Sequence, residues 1–318
     1  MMKCLYTHLF KCLVIIICFW ASVQQASAQA ENDAIMIPKN YLCPGVMYST
    51  SDWTNYWEGT FKRSNGNIGT LNTKMYSVMA TYGITNNLIA TVNVPYVTTN
   101  ASAGTLEGQK GLQDISLNLK WRGLRLKSGK NTFSLLASVT GSIPLTNYEA
   151  DFDPLALGSH SKNFTGRLIV DYNRGKYFIT GSGAYMTRSN ITIDRTSYYT
   201  TQLIYSNQVE LPNMSDYNLR TGYRSKYFIA ELVGDISTSL GGFDIRKNDM
   251  PFPSNRMNMT SAGINLRYRL KSLYNLEFTA GDDYVVKGRN VGQSNMVHGG
   301  ITYIFSLSKK ADQVSYKN

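Results

Sequence analysis

From Trp57 onward, apolar and polar residues alternate with a period of two, in segments joined by links that are short and long by turns. A period of two sends successive side chains to opposite faces of a strand, so each segment has one apolar and one polar side. Residues 113 to 122 show it most plainly. Ile115, Leu117, Leu119 and Trp121 fall on one side, and Asp114, Ser116, Asn118, Lys120 and Arg122 on the other. Residues 257 to 270 repeat the pattern, with Ala262, Ile264, Leu266 and Tyr268 opposite Ser261, Asn265, Arg267 and Arg269. A slip of one residue would carry two arginines into the apolar surroundings, which fixes the register.

About twelve such segments can be read, starting near Trp57, Lys74, Leu88, Gln113, Asn131, Lys162, Lys176, Tyr217, Lys226, Met257, Leu273 and Ser294. Turn-forming residues make short links at 85–87, 128–130, 173–175, 224–225 and 271–272. Polar stretches make long links at 64–73, 98–112, 145–161, 189–214, 239–256 and 285–293. Strict alternation of the two predicts an all-β fold, a transmembrane antiparallel up-and-down β-barrel of about 12 strands with short periplasmic turns and long extracellular loops. A soluble barrel shares the period but turns its apolar side inward. The aromatic residues separate the two. Tyr76, Tyr82, Tyr96, Trp121, Phe133, Phe164, Tyr172, Tyr177, Tyr185, Tyr268, Tyr274, Tyr303 and Phe305 gather on the apolar side, towards strand ends, where lipid headgroup levels would lie. A mean hydropathy of −0.23 agrees with this, because only every second residue of such a strand must be apolar.

The 318 residues divide into four parts. Residues 1–28 read as an export signal: Lys3 and Lys11, the apolar run 13–20, then Ala26-Ser27-Ala28 for cleavage. Residues 29–55 read as a periplasmic leader with part of a first strand around residues 46–48. The barrel is expected over 56–306, and 307–318 is a polar tail. Cleavage removes two lysines, so the net charge of +11 falls to 11 − 2 = +9. It also leaves Cys43 as the one cysteine, which excludes an internal disulfide and a cysteine-based metal cluster. The expected location is the outer membrane of a Gram-negative bacterium.

Certain segments resemble a known family. They are Tyr82-Gly83-Ile84-Thr85-Asn86-Asn87-Leu88, Asn93-Val94-Pro95-Tyr96-Val97 and residues 111–121, with Gly141-Ser142-Ile143-Pro144 and residues 171–177 following. Their order is similar to that in outer-membrane barrels assigned to the MetA pathway of phenol degradation, although Gln113 replaces the usual glycine and no glycine follows Pro144. The resemblance implies a barrel that passes small molecules, hydrophobic or aromatic solutes among them. It does not establish phenol as the solute.

Chemistry is sparse. His160 and His298 are the histidines left after cleavage, and no cofactor or metal site is expected. Asp282-Asp283 and Asp151-Phe152-Asp153 lack the glycine-centred loop of a calcium site. Basic residues at the short turns suit anionic headgroups rather than nucleic acid. By parity the charged members of the polar side are Glu58, Lys62, Asp114, Lys120, Arg122, Arg167, Asp171, Arg188, Arg220, Glu231, Asp235, Arg267, Arg269, Glu277 and Asp283, and His298 joins them. These are the expected pore-lining residues of a passive channel or transporter. A barrel enzyme of lipase or protease type using His298 or His160, and an adhesive barrel acting through its loops, stay open as alternatives. The expected partners are outer-membrane lipid and a small solute, and the sequence leaves the oligomeric state open.

Overall fold

The computed structural model describes residues 29–307 apart from Asn248 and Tyr274. The export signal, all of the polar tail after Leu307, and the Tyr274 ring therefore lie outside the described residues.

Twelve antiparallel strands form one closed sheet. They are β1 (Tyr41–Trp53), β2 (Leu71–Thr85), β3 (Leu88–Ala101), β4 (Asp114–Ser128), β5 (Asn131–Pro144) and β6 (Asn163–Arg174). The second half is β7 (Tyr177–Arg188), β8 (Met214–Arg224), β9 (Phe228–Ser239), β10 (Asn258–Arg269), β11 (Leu276–Arg289) and β12 (Asn295–Tyr303). Each strand pairs with the next, and β1 pairs with β12 from Gly45↔Thr302 to Asp52↔Asn295, which closes the barrel and leaves no long open edge. The short turns demand little: Gly129 and Gly175, both at positive φ, let two-residue links join β4 to β5 and β6 to β7. The start of β1 and the segment after β12 meet at this short-turn rim, where Asn40 N–H donates to Gly83 O and Phe305–Ser306 pairs with Tyr41 and Leu42.

The first strand differs from the sequence reading. β1 begins at Tyr41 and lies within the expected leader, whereas Trp57 belongs to a small hairpin, Asn55–Glu58 with Phe61–Ser64, outside the barrel wall. Pro44 masks β1 in the sequence, since proline lacks the N–H a central strand needs. Here it falls between the Leu42↔Phe305 and Gly45↔Thr302 pairs, where pairing on the β12 side is interrupted, while pairing to β2 continues as Pro44↔Ala80. The last long link also shrinks, to residues 290–294, because β11 continues to Arg289.

Polar residues occupy the inside. Asn118, Lys120, Thr180 and Arg220 are each at most 2% exposed, while Leu117, Leu168, Leu219 and Leu232 on the same strands or their neighbours are exposed on the outside. Of the rings placed on the apolar side, ten are exposed and Tyr82 and Phe305 are half-buried. An outside of leucine, valine and rings around a polar inside is stable only in lipid, so the fold is a transmembrane barrel of the outer-membrane type. Leu168→Arg, midway along β6, is expected to cost about 2–4 kcal/mol, and Tyr172→Arg near its rim only about 0–1. Denaturant unfolding from lipid vesicles measures both.

The loops at the opposite rim have cores of their own. Residues 145–162 form the hub. Leu155 packs with Ile68 and Leu71, Ala150 packs with Ile191, Ile193, Val209 and Leu211, and Tyr148 and Leu157 reach Met75 and Val97 on the inner wall. The hub therefore dips into the mouth instead of standing clear of it.

Candidate functional site: the barrel interior

The expected leader does not hang below the barrel. After the four-residue helix α1 (Gln29–Asn32) the chain descends through the interior to Asn40 at the short-turn rim. Asn32 and Asp33 are 6% and 4% exposed. The Asp33 carboxylate accepts from Lys120 Nζ at 2.8 Å and from Arg267 Nη2 at 3.5 Å, so two strands far apart in sequence, β4 and β10, hold one residue between them. Lys120 also donates to Asp33 O at 3.0 Å. Below this node Ile35, Met36 and Ile37 lie among the inward-facing Cys43, Met47, Met79 and Ile89, a small apolar patch in an otherwise polar wall. Lower still the segment presses on the wall at Gly83, where an added Cβ would stand 2.0 Å from Pro38 O. Glycine is required there by the close approach.

Above and below the node lie two chambers of about 400 and 420 Å³. The outer one is acidic. Glu31, Asp114, Asp216, Asp235 and Asp283 line it against only Arg167 and Arg220. The inner vestibule is basic, with Arg122, Arg125, Lys127, Lys130, Arg224, Lys226, Arg267 and Arg269 against Asp171 and Glu277. Within the wall the pairs are close: Arg167–Asp216 at 2.8 Å, Arg220–Glu231 at 2.8 Å and Arg269–Glu277 at 2.9 Å.

Asp171 accepts from Thr180 at 2.6 Å and stands 3.5 Å from Arg224. Arg122 ties down the first turn through Asn86 O and Asn87 Oδ1. Arg188 points to Pro212 O at the upper rim. His298 Nδ1 is 3.9 Å from Asp283 in the outer chamber. Glu58 and Lys62 are a correction: they sit on the small outer hairpin, Glu58 against Arg63 and Lys62 over the Trp57 ring, because parity was counted along a segment that is not part of the wall. Parity does not reach Glu31 and Asp33, which are on no strand, nor Asp216, because β8 starts at Met214, ahead of the Tyr217 expected from alternation. The one trace of the segment in sequence is the short apolar run Ala34-Ile35-Met36-Ile37 within a polar leader.

His160 belongs to the hub loop: its N–H donates to Tyr148 Oη at 3.0 Å, and Tyr148 donates to Asp114 at 2.5 Å. In the same loop, burial pushes the Asp153 carboxyl up to about 7, with Arg188 opposing and Asp151 adding to the rise. A carboxyl raised on docking keeps a proton that the undocked loop loses near pH 4, so docking weakens as pH climbs from about 4 to about 7 and is level above that. Hydrogen-exchange protection of residues 145–162 is expected to be higher at pH 5 than at pH 7.5. Asp153→Asn should remove most of that difference. Among the described residues no group of three His, Cys, Asp or Glu side chains is placed to hold a metal ion.

One solved structure shares the architecture. An outer membrane channel from Pseudomonas putida F1 aligns with a TM-score of 0.68 at 15% identity, over 89% of this chain and 100% of that one. The translocator domain of autotransporter NalP from Neisseria meningitidis aligns with a TM-score of 0.47 at 10% identity, over 88% and 92%. No curated protein sequence matches the chain. The family model described as "Putative MetA-pathway of phenol degradation" matches residues 67–297, from the loop after β1 into β12, and the chain belongs to that family.

Proposed function

We propose that the protein is a non-enzymatic outer-membrane channel for passive passage of small polar solutes, with its bore set by the N-terminal segment. The observation that carries this reading is the pair of polar chambers, one on each side of a segment anchored by the single Asp33 node. An eight-stranded barrel can fill its interior with side chains; twelve strands leave more room than that. In this reading the path is lined by Asp114, Arg167, Arg220, Asp235, Asp283 and His298 above the node, and by Arg122, Asp171, Arg267, Arg269 and Glu277 below it. Arg188 stands at the entrance, while Lys120 and Glu231 hold the wall pairs together. Oppositely charged chambers in series favour solutes small enough to pass beside the segment and polar enough to exchange water for wall hydrogen bonds. The aromatic solutes suggested by the family's description would have to cross this polar lining, so we take polar solutes as the class.

The test is single-channel recording of residues 29–318 refolded into a planar bilayer, with vesicle swelling in small sugars and amino acids. Steady small currents and swelling are expected. A barrel shown to be folded by its heat-modifiable migration, yet silent in both assays, would overturn the reading.

A further inference from the structure

We infer that the outer chamber is a binding site for small organic cations, solutes that present a protonated amine on a short apolar stem. This deepens the channel reading by naming a solute class, but the site itself does not depend on transport.

The outer chamber holds a surplus of acceptors. Asn32 Oδ1 on the N-terminal segment, Asn93 Oδ1 on β3 and Asn265 Oδ1 on β10 are buried and find no hydrogen-bond partner among the described residues, and all three residues line the outer chamber. They are 6%, 8% and 4% exposed. A buried acceptor left unmet is costly, and three around one cavity call for a donor from outside the chain.

Charge points the same way. Five carboxylates and two guanidiniums give the chamber a formal charge of 2 − 5 = −3. Both guanidiniums are already engaged, Arg167 with Asp216 and Arg220 with Glu231. Asp283 faces the His298 imidazole, with Nδ1 at 3.9 Å. Asp235 accepts from the neutral Asn218 amide at 2.6 Å.

An ammonium head supplies three donors and the missing positive charge. A bare metal ion fits less well, because it needs oxygens gathered within about 2.6 Å and these acceptors are spread around about 400 Å³. Met186, Met259 and Met296 line the same chamber and offer thioether contacts to an apolar stem.

The experiment is calorimetric titration of detergent-solubilised residues 29–318 at pH 7.5 and low salt with three probes of equal carbon number: butylamine, butan-1-ol and butyrate. Saturable binding of butylamine alone is expected, weakened at least tenfold in Asp235→Asn/Asp283→Asn. Should that variant fail to fold, Asn93→Leu serves in its place: it removes one orphaned acceptor, so the barrel should hold its stability while butylamine binds more weakly. No saturable heat from butylamine, equal binding of all three probes, or affinity unchanged in the variants would each overturn the inference, as would binding of calcium in place of the amine. The two readings fail separately. Amine binding by a non-conducting barrel leaves this site standing and removes the channel; conduction without amine binding does the reverse.

Discussion

Deleting residues 29–36 raises single-channel conductance roughly three- to tenfold, the change expected when a peptide is withdrawn from a lumen only somewhat wider than a side-chain-filled barrel. The segment stands between the two chambers, and its removal should join them into one path. Asp33→Asn tests the same point without shortening the chain. It abolishes the charge that Lys120 holds at 2.8 Å and Arg267 at 3.5 Å. Removing one partner of a buried ion pair costs about 3–5 kcal/mol when the other charge stays buried. Here the segment can leave and water can enter, so the loss should appear as a shift from the docked to the undocked state. Recordings should then flicker between a small and a large conductance. Conductance unchanged in both variants would mean that the bore is set elsewhere, with the hub loop at the outer mouth the next place to look.

The second large effect concerns the wall itself. Arg220→Met should destabilise the folded barrel by about 3–5 kcal/mol, because Glu231 is left as a buried, unpaired carboxylate. Both side chains are nearly inaccessible, at 3% and 6% exposed, with 2.8 Å between Nη1 and Oε1. The guanidinium also donates through Nε to Asn218 Oδ1 at 3.0 Å, so one substitution breaks two contacts. Arg220→Met/Glu231→Leu removes both charges together and should recover most of the loss. Urea unfolding in lipid vesicles reads the three stabilities. If the single variant loses less than about 1 kcal/mol, the pair behaves like an exposed one, screened by lumen water.

How much of this was legible in the sequence follows from how local each feature is. Eleven of the twelve strands were marked by alternation, and for residues such as Leu117, Asn118, Leu119 and Lys120 alternation also gave the face, since pleating sends neighbours to opposite sides whatever the rest of the chain does. Gly129 and Gly175 marked tight turns for an equally local reason, their positive φ. β1 was hidden because Pro44 argues against a strand unless its missing N–H meets a break in pairing, and that break is made by residues about 260 positions away in the chain. Glu58 and Lys62 were assigned to the wall for the converse reason: a two-strand hairpin alternates just as a barrel strand does.

Sequence alone determined the barrel, its alternation of short turns and long loops, its lipid-facing side and most of the charges that face inward, because period two and turn chemistry are properties of neighbouring residues. Only the tertiary structure decided that residues 29–40 enter the lumen, that Asp33 joins Lys120 to Arg267, and that acidic groups collect above this node and basic groups below it. Height along the barrel axis and the path of an unpaired segment depend on closure of the sheet between β1 and β12. That contact spans nearly the whole chain, and no local pattern encodes it.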